Sequence, residues 1–262
     1  MAQALVQLGV PCLVTVTTAA AQRAYPEHPG LVVRVGALAL EYLADFMQTH
    51  HIGAILDVSH PFAVAISQGA MAQAAALQLP YWRYERPLVE EPKTVGAGDA
   101  VGGEDAVAWE PLRVPDLEAA LRVDILEGQR VLLTLGYRWL AAFRPWQGRA
   151  ALFARILPSP VALEAALAAG FTPERLIALR PPIGEALEQA LWQQWGMTTV
   201  ITKASGQPGG EGTKRRVAER LGVALVIIDR PSLAYPVVSD GLEDVVAGCY
   251  QWWQAEKNST TF

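Results

Sequence analysis

Cysteine is nearly absent. The 262 residues hold only Cys12 and Cys249, far apart, which excludes a disulfide scaffold and favours a reducing compartment. Charge is sparse: 18% of residues are charged against 52% apolar, which excludes intrinsic disorder. No run of eighteen apolar residues occurs, so no membrane-spanning helix is expected. The histidines are His28, His50, His51 and His60, with no thiol pair beside any of them, so no metal site is expected. Three motifs are missing: the Walker phosphate loop, Gly-x-Gly-x-x-Gly and the Gly-x-Ser-x-Gly nucleophile turn. No basic residue precedes Arg23, so the apolar opening stretch reads as structure rather than a secretory signal, and we expect a cytoplasmic protein.

The formal net charge is −5, which argues against binding nucleic acid through bulk positive charge. That charge is unevenly spread. Residues 1–124 carry 7 basic and 14 acidic residues, whereas 130–230 carry 13 basic and 7 acidic. An anionic ligand would find its partners mainly in the second half.

Apolar periodicity switches repeatedly between strand and helix. Strands are expected at 12–17, 31–35, 52–57, 81–84, 130–135, 150–156, 176–179, 198–202 and 224–229. Helices are expected at 38–50, 62–77, 138–143, 161–169, 183–195, 213–221 and 242–255, and 2–8 reads as the end of a helix. This alternation marks parallel sheets covered by helices. Residues 88–128 break the rhythm, with Gly and Ala over 95–103 and acids around them, and read as a loop or insertion. The fold class expected is α/β, with two Rossmann-like, doubly wound parallel-sheet domains (1–127 and 128–262) and a cleft between them. In such sheets ligands bind at the carboxyl ends of strands, near helix N-termini.

Several strand ends carry residues suited to chemistry. Asp57-Val58-Ser59-His60-Pro61-Phe62-Ala63 closes a buried strand, and Pro61 suits the first turn of a following helix. An anion or polarised carbonyl could dock there, and His60 could donate a proton near neutral pH. The alternative is a structural cap in which Asp57 and Ser59 satisfy backbone donors. Thr202-Lys203-Ala204-Ser205-Gly206 opens a glycine-rich loop running to Gly212-Thr213-Lys214, either a phosphate or carboxylate cradle or a plain loop. Thr134-Leu135-Gly136-Tyr137-Arg138 is another strand end, where glycine permits close backbone approach. Arg180 follows a strand, and Arg86 sits in Tyr84-Glu85-Arg86-Pro87, where an ion pair could be purely structural.

In this order, these segments resemble the precorrin-6A reductase family of cobalamin biosynthesis over nearly the whole chain. The family's Asp-x-Thr/Ser-His-Pro-Tyr/Phe-Ala segment is matched by Asp57 to Ala63, and its Arg-x-x-Arg-Pro strand end by Tyr81 to Pro87. Its Thr-Thr-Gly-Arg turn and Leu-Ala-Ala-Phe are matched by Thr134 to Phe143. Its Thr-Lys-x-Ser-Gly loop is matched by Thr202 to Gly206, and its closing Arg-Pro by Arg230-Pro231. The resemblance implies NADPH-dependent reduction of one double bond of precorrin-6A, or its cobalt form, to precorrin-6B. It implies a tetrapyrrole substrate, no nucleic acid or membrane partner, and other corrin-pathway enzymes as candidate partners. Carried over residue by residue, it implies Asp57, Ser59, His60, Arg86 and Arg180 at the macrocycle, with His60 as the candidate catalytic residue. It implies Thr134, Gly136, Lys203, Ser205 and Gly206 at the cofactor.

There are departures. Leu135 and Tyr137 stand where the family has Thr and Arg, and Arg138 falls one position late, which weakens a role for it. Residues 95–125 read as an insertion. The family opens with a strand and a Gly-Gly-Thr-x-Glu loop, whereas Met1 to Leu5 already match the helix beyond them. We read this as a start codon placed late rather than a loss, because removing a central strand is severely destabilising. Two other readings stay open: a non-catalytic tetrapyrrole-binding relative, and a Rossmann-type oxidoreductase acting on another anionic substrate.

Overall fold

A computed structural model describes residues 1–89 and 109–259. The strands, in chain order, are β1 (Cys12–Val16), β2 (Leu31–Val35), β3 (Ile55–Asp57), β4 (Tyr81–Tyr84), β5 (Leu112–Val114) and β6 (Arg130–Leu133). They continue with β7 (Ala151–Ile156), β8 (Leu176–Ala178), β9 (Thr199–Lys203), β10 (Ala224–Ile228) and β11 (Val238–Ser239). The backbone divides into two compact units, one of Met1–Arg86 with Ser232–Phe262, the other of Pro87–Pro231.

The unit Pro87–Pro231 holds a six-stranded parallel sheet in the order β5-β10-β9-β6-β7-β8. Its central strands carry short buried apolar runs. Val131, Leu132 and Leu133 of β6 and Val200 and Ile201 of β9 are at most 1% exposed, as expected of strands covered on both faces. Trp192 from the helix Glu185–Trp195 and Val217 from the helix Glu211–Leu221 pack with Leu132, Phe153 and Leu225 into one core. From β6 the chain steps outward through β7 to β8, then returns to β9 on the other side of β6 and moves on to β10. The direction of winding thus reverses between β6 and β9, and at such a reversal the loops leaving two adjacent strands diverge and open a crevice.

The other unit is also parallel but holds two separate sheets, β1-β2 and β3-β4-β11. The single doubly wound sheet expected for the first half is not formed among the described residues, because β1 ladders with β2 and β3 with β4, with no ladder joining β1 to β3. Cys12 and Leu56, one from each sheet, still pack into the same apolar cluster, with Leu5, Val245 and Cys249.

These units differ from the expected 1–127 and 128–262, for two reasons. The helix Leu242–Ser259 turns Val245, Val246 and Cys249 onto Leu5 and Trp82, and β11 extends the sheet at β4, which returns the C-terminus to the first unit. In addition, β5 ladders with β10, which ties the segment after 109 to the second. Of the insertion expected at 95–125, residues 95–108 lie outside the described residues, and the remainder includes β5. The helix expected at 62–77 spans Val64–Ala76 and has no side-chain cap, so Pro61 lies in the turn before it. Among the described residues, no helix is long and apolar enough to cross a membrane.

Candidate active site

Five residues assigned to the cofactor from sequence fall where β6 and β9 end. Parallel pairing puts these ends side by side: Leu133 pairs with Ile201, and Thr134 donates both its N–H (3.0 Å) and its Oγ1–H (3.2 Å) to the carbonyl of Ile201. Thr134 therefore knits the two strand ends together. Gly136 follows, exposed, at φ +79° and ψ 160°, a region essentially open to glycine alone, which costs an L side chain about 1–3 kcal/mol. No atom lies within 4 Å of where its Cβ would be, so conformation and not crowding is what calls for glycine.

Gly136 leads into a 3-10 helix, Tyr137–Trp146, that sets Trp139 under Lys203: the ammonium lies 3.8 Å from the centre of the indole ring. Burial pulls the Lys203 ammonium down to about 8, and the nearby Arg138 guanidinium adds to the shift. Two cations and an aromatic face thus converge where the winding reverses. The family pattern placed the arginine one position earlier, yet Arg138 reaches Lys203 electrostatically. Trp139 was missed; its signal was an aromatic directly after the Gly136 turn.

The loop beyond Lys203 is held from below. Gly206, buried at φ +72°, donates its N–H to Glu211 Oε2 at 3.2 Å, and a Cβ there would lie 2.6 Å from the Pro87 carbonyl. Its amide is thus engaged internally. Ser205 is 6% exposed, and its hydroxyl packs where a Cβ on Gly209 would sit. Lys214, 3% exposed, points inward and donates to the carbonyls of Gly209 (3.0 Å) and Gly210 (3.3 Å). The Gly212-Thr213-Lys214 run therefore does not hold out a lysine as a Walker loop does.

In the first unit, β3 delivers Asp57 to a buried hub of hydrogen bonds and ion pairs. Its Oδ1 accepts from the Ser59 N–H (2.8 Å) and pairs with Arg83 Nη1 (3.1 Å). Its Oδ2 accepts from Ser67 Oγ and Tyr81 OH, both at 2.6 Å. Arg83, 0% exposed, also holds Glu85 through Nε and Nη2 at 2.9 Å, and its guanidinium lies 5.1 Å from the Tyr235 ring. Burial pushes the Asp57 carboxyl up, but the hydrogen bonds from Ser59, Ser67 and Tyr81 outweigh it and hold it below the usual range. Burial and the Asp57 carboxylate push the Tyr81 phenol up. For Asp57 the geometry supports the capping alternative over direct contact with a macrocycle. Tyr81 and Arg83 lie in the strand end matched to the family but were given no role, and Tyr235 escaped the sequence reading because it lies outside any periodic element.

Ser59 is half-buried beside that hub and His60 is exposed. The His60 Nδ1 accepts from the Phe62 N–H at 3.2 Å and the His60 carbonyl accepts from Ala63 N–H at 2.7 Å. With Nδ1 an acceptor, the neutral imidazole carries its proton on Nε2. Arg86 is half-buried just after β4. Arg180 is exposed after the edge strand β8, with β7 between it and β6, so it does not join Lys203 and Arg138.

Comparison with known proteins gives this arrangement a family. Residues 1–250 match the family model described as precorrin-6x reductase CbiJ/CobK. The chain is 46% identical over 252 residues to a cobalt-precorrin-6A reductase of Synechocystis sp., covering 95% of this chain and 90% of that one. It is 31% identical to a cobalt-precorrin-6A reductase of Priestia megaterium, covering 82% and 79%. It is 29% identical to a precorrin-6A reductase of Rhodococcus erythropolis, covering 93% and 88%. A solved structure, CobK precorrin-6A reductase, shares the fold with a TM-score of 0.70 at 24% identity, covering 97% of this chain and 90% of that one. The chain belongs to the precorrin-6x reductase CbiJ/CobK family.

Proposed function

We propose that this chain reduces one ring double bond of precorrin-6A, with or without cobalt in the ring, using NADPH. The structural observation that carries the cofactor half of this reading is the pair of cations, Lys203 and Arg138, at the strand ends where the winding reverses. A phosphate ester suits that place, and the open backbone at Gly136 suits close approach by one. The doubly wound, Rossmann-like description fits β6–β10, whose order β8-β7-β6-β9-β10 winds both ways from the centre.

Held at Lys203, Arg138 and Gly136, NADPH would supply the hydride, two electrons and one hydrogen, for one carbon of the double bond, and the adjoining carbon would take a proton. The products are the saturated ring bond and NADP⁺. The chain's own residues bind and orient. Lys203 holds its charge against Trp139 and next to Arg138; Thr134 fixes the relative height of the two strand ends. Asp57 and Arg83 hold the turn that carries Ser59 and His60. His60 gives a proton to the macrocycle from its imidazolium form and becomes the neutral ring, while Ser59 and Arg86 serve the macrocycle's polar groups. We propose no metal as a resident cofactor, because hydride transfer from a nicotinamide needs none.

Adding either form of the macrocycle to protein and NADPH should cause loss of NADPH absorbance; a folded protein that oxidises no NADPH with either form contradicts the proposal. The cofactor half has its own test in pH. The charged form of Lys203 attracts phosphate and is lost as pH rises through about 8. The dissociation constant for NADPH should therefore rise across that interval. Lys203→Met should bind NADPH about 10- to 150-fold more weakly at pH 7, since a charge-assisted contact is worth about 1.5–3 kcal/mol, and should show a shallower rise. Fluorescence titration measures both, and an unchanged constant at pH 7 would remove Lys203 from the cofactor site.

A further inference from the structure

The loop 205–210 leaves β9 at the reversal point and enters the helix Glu211–Leu221 with its shape fixed by side chains beneath it. Lys214 draws in two carbonyls of the loop, Gly209 at 3.0 Å and Gly210 at 3.3 Å. Glu211 accepts from the Gly206 N–H through Oε2, and its Oε1 accepts from Arg215 Nε (3.2 Å) and Nη2 (3.0 Å). Arg155 from β7 pairs with Glu188 from the helix Glu185–Trp195, and this pair also acts on Lys214. Glu188, Glu211, Lys214 and Arg215 are all at most 7% exposed.

This arrangement is costly for Lys214. The residue lies in the first turn of its helix, where the macrodipole repels cations. Burial and the Arg155 guanidinium pull its ammonium down to about 8, and Glu188 and Glu211 only partly restore it. An apolar side chain of similar length could fill the same space without that cost. What it could not do is hold the Gly209 and Gly210 carbonyls inward.

We propose that Lys214 and Glu211 are positioning residues that hold the 205–210 loop in the shape that receives the phosphate end of the cofactor, without touching the cofactor themselves. The inference rests on the reading that NADPH binds at the ends of β6 and β9. Lys214 acts through the Gly209 and Gly210 carbonyls, and Glu211 through the Gly206 amide. Both act on the loop, so losing either gives one phenotype: weaker cofactor binding with macrocycle binding intact.

The experiment compares wild type, Lys214→Met and Glu211→Gln as full-length protein. Glu211→Gln is the milder change, because its amide oxygen can still accept from Gly206, and it serves if Lys214→Met fails to fold. Three quantities are measured: hydrogen exchange of the amides in 204–212, the dissociation constant for NADPH, and that for precorrin-6A without NADPH. The amides of Gly209 and Gly210, bonded to carbonyls within the loop, and of Gly206, bonded to Glu211, should exchange faster in both variants. NADPH should bind at least tenfold more weakly in Lys214→Met and at least threefold more weakly in Glu211→Gln, with precorrin-6A binding within twofold of wild type. Unchanged exchange overturns the positioning role. Faster exchange with unchanged NADPH binding overturns the placement of the cofactor at this loop, and the inference with it. Equal weakening of both ligands also overturns it, by showing a general loss of structure.

Discussion

Asp57→Ala loses about 3–5 kcal/mol of stability to urea, the range expected when one partner of a buried ion pair is removed. The cost arises from what the carboxylate leaves behind. Arg83 is 0% exposed, and without Asp57 its charge retains Glu85, which is the more exposed partner. The hydroxyls of Ser67 and Tyr81 and the N–H of Ser59 lose their acceptor at the same stroke. The sign of the pH dependence follows from the depressed carboxyl. A carboxylate held below its unfolded value contributes stability above about pH 4, and that contribution is lost as pH falls through the folded value. Wild type should therefore lose stability in acid more steeply than Asp57→Ala. A loss below about 1 kcal/mol at pH 7 would show that the hub is not a structural centre.

The second large effect is on turnover. His60→Ala should lower kcat about 100-fold, the lower end of what a positioned proton donor contributes, and leave the dissociation constant for NADPH within twofold. The bond from the Phe62 N–H to Nδ1 sets the orientation of the neutral ring and gives way when the ring takes up the proton that it passes on. Asp57, through the Ser59 N–H, fixes the turn on which that ring is mounted. The two variants separate by stability: Asp57→Ala loses it and loosens the turn that carries His60, whereas His60→Ala lowers kcat with stability nearly unchanged, as expected for an exposed residue. If His60→Ala turns over at the wild-type rate, the proton comes from elsewhere; if it loses NADPH binding, His60 belongs to the other ligand.

The sequence made the strand ends legible, because each ends a run of buried apolar residues and begins with a residue that changes the rule: Asp57, Gly136, Lys203. The alternation over 130–230 was legible for the same reason, as β6 and β10 carry the apolar runs Val131-Leu132-Leu133 and Leu225-Val226-Ile227-Ile228 of covered strands. Strand order was not, since nothing in the periodicity of β6 or β9 says that they are neighbours. Adjacency is what turns Thr134 and Lys203 into one site and recruits Trp139 and Arg138 to it. β5 and β11, at three and two residues, are too short to show a period. The return of the helix Leu242–Ser259 to Leu5 is a contact across almost the whole chain and is invisible to any local pattern. Lys214 shows the limit most sharply. Its sequence context leaves a phosphate or carboxylate cradle and a plain loop both open, and only burial reveals that it faces the carbonyls beneath.

The central claim is that this chain transfers a hydride from NADPH to precorrin-6A. A single turnover with NADPH carrying deuterium at the transferable position of the nicotinamide tests it most directly, with the product read by mass spectrometry. The account predicts precorrin-6B bearing one deuterium on a ring carbon, with one NADP⁺ formed per product. Macrocycle bound but recovered unreduced beside unconsumed NADPH would contradict it, and would make this chain a tetrapyrrole-binding relative without turnover.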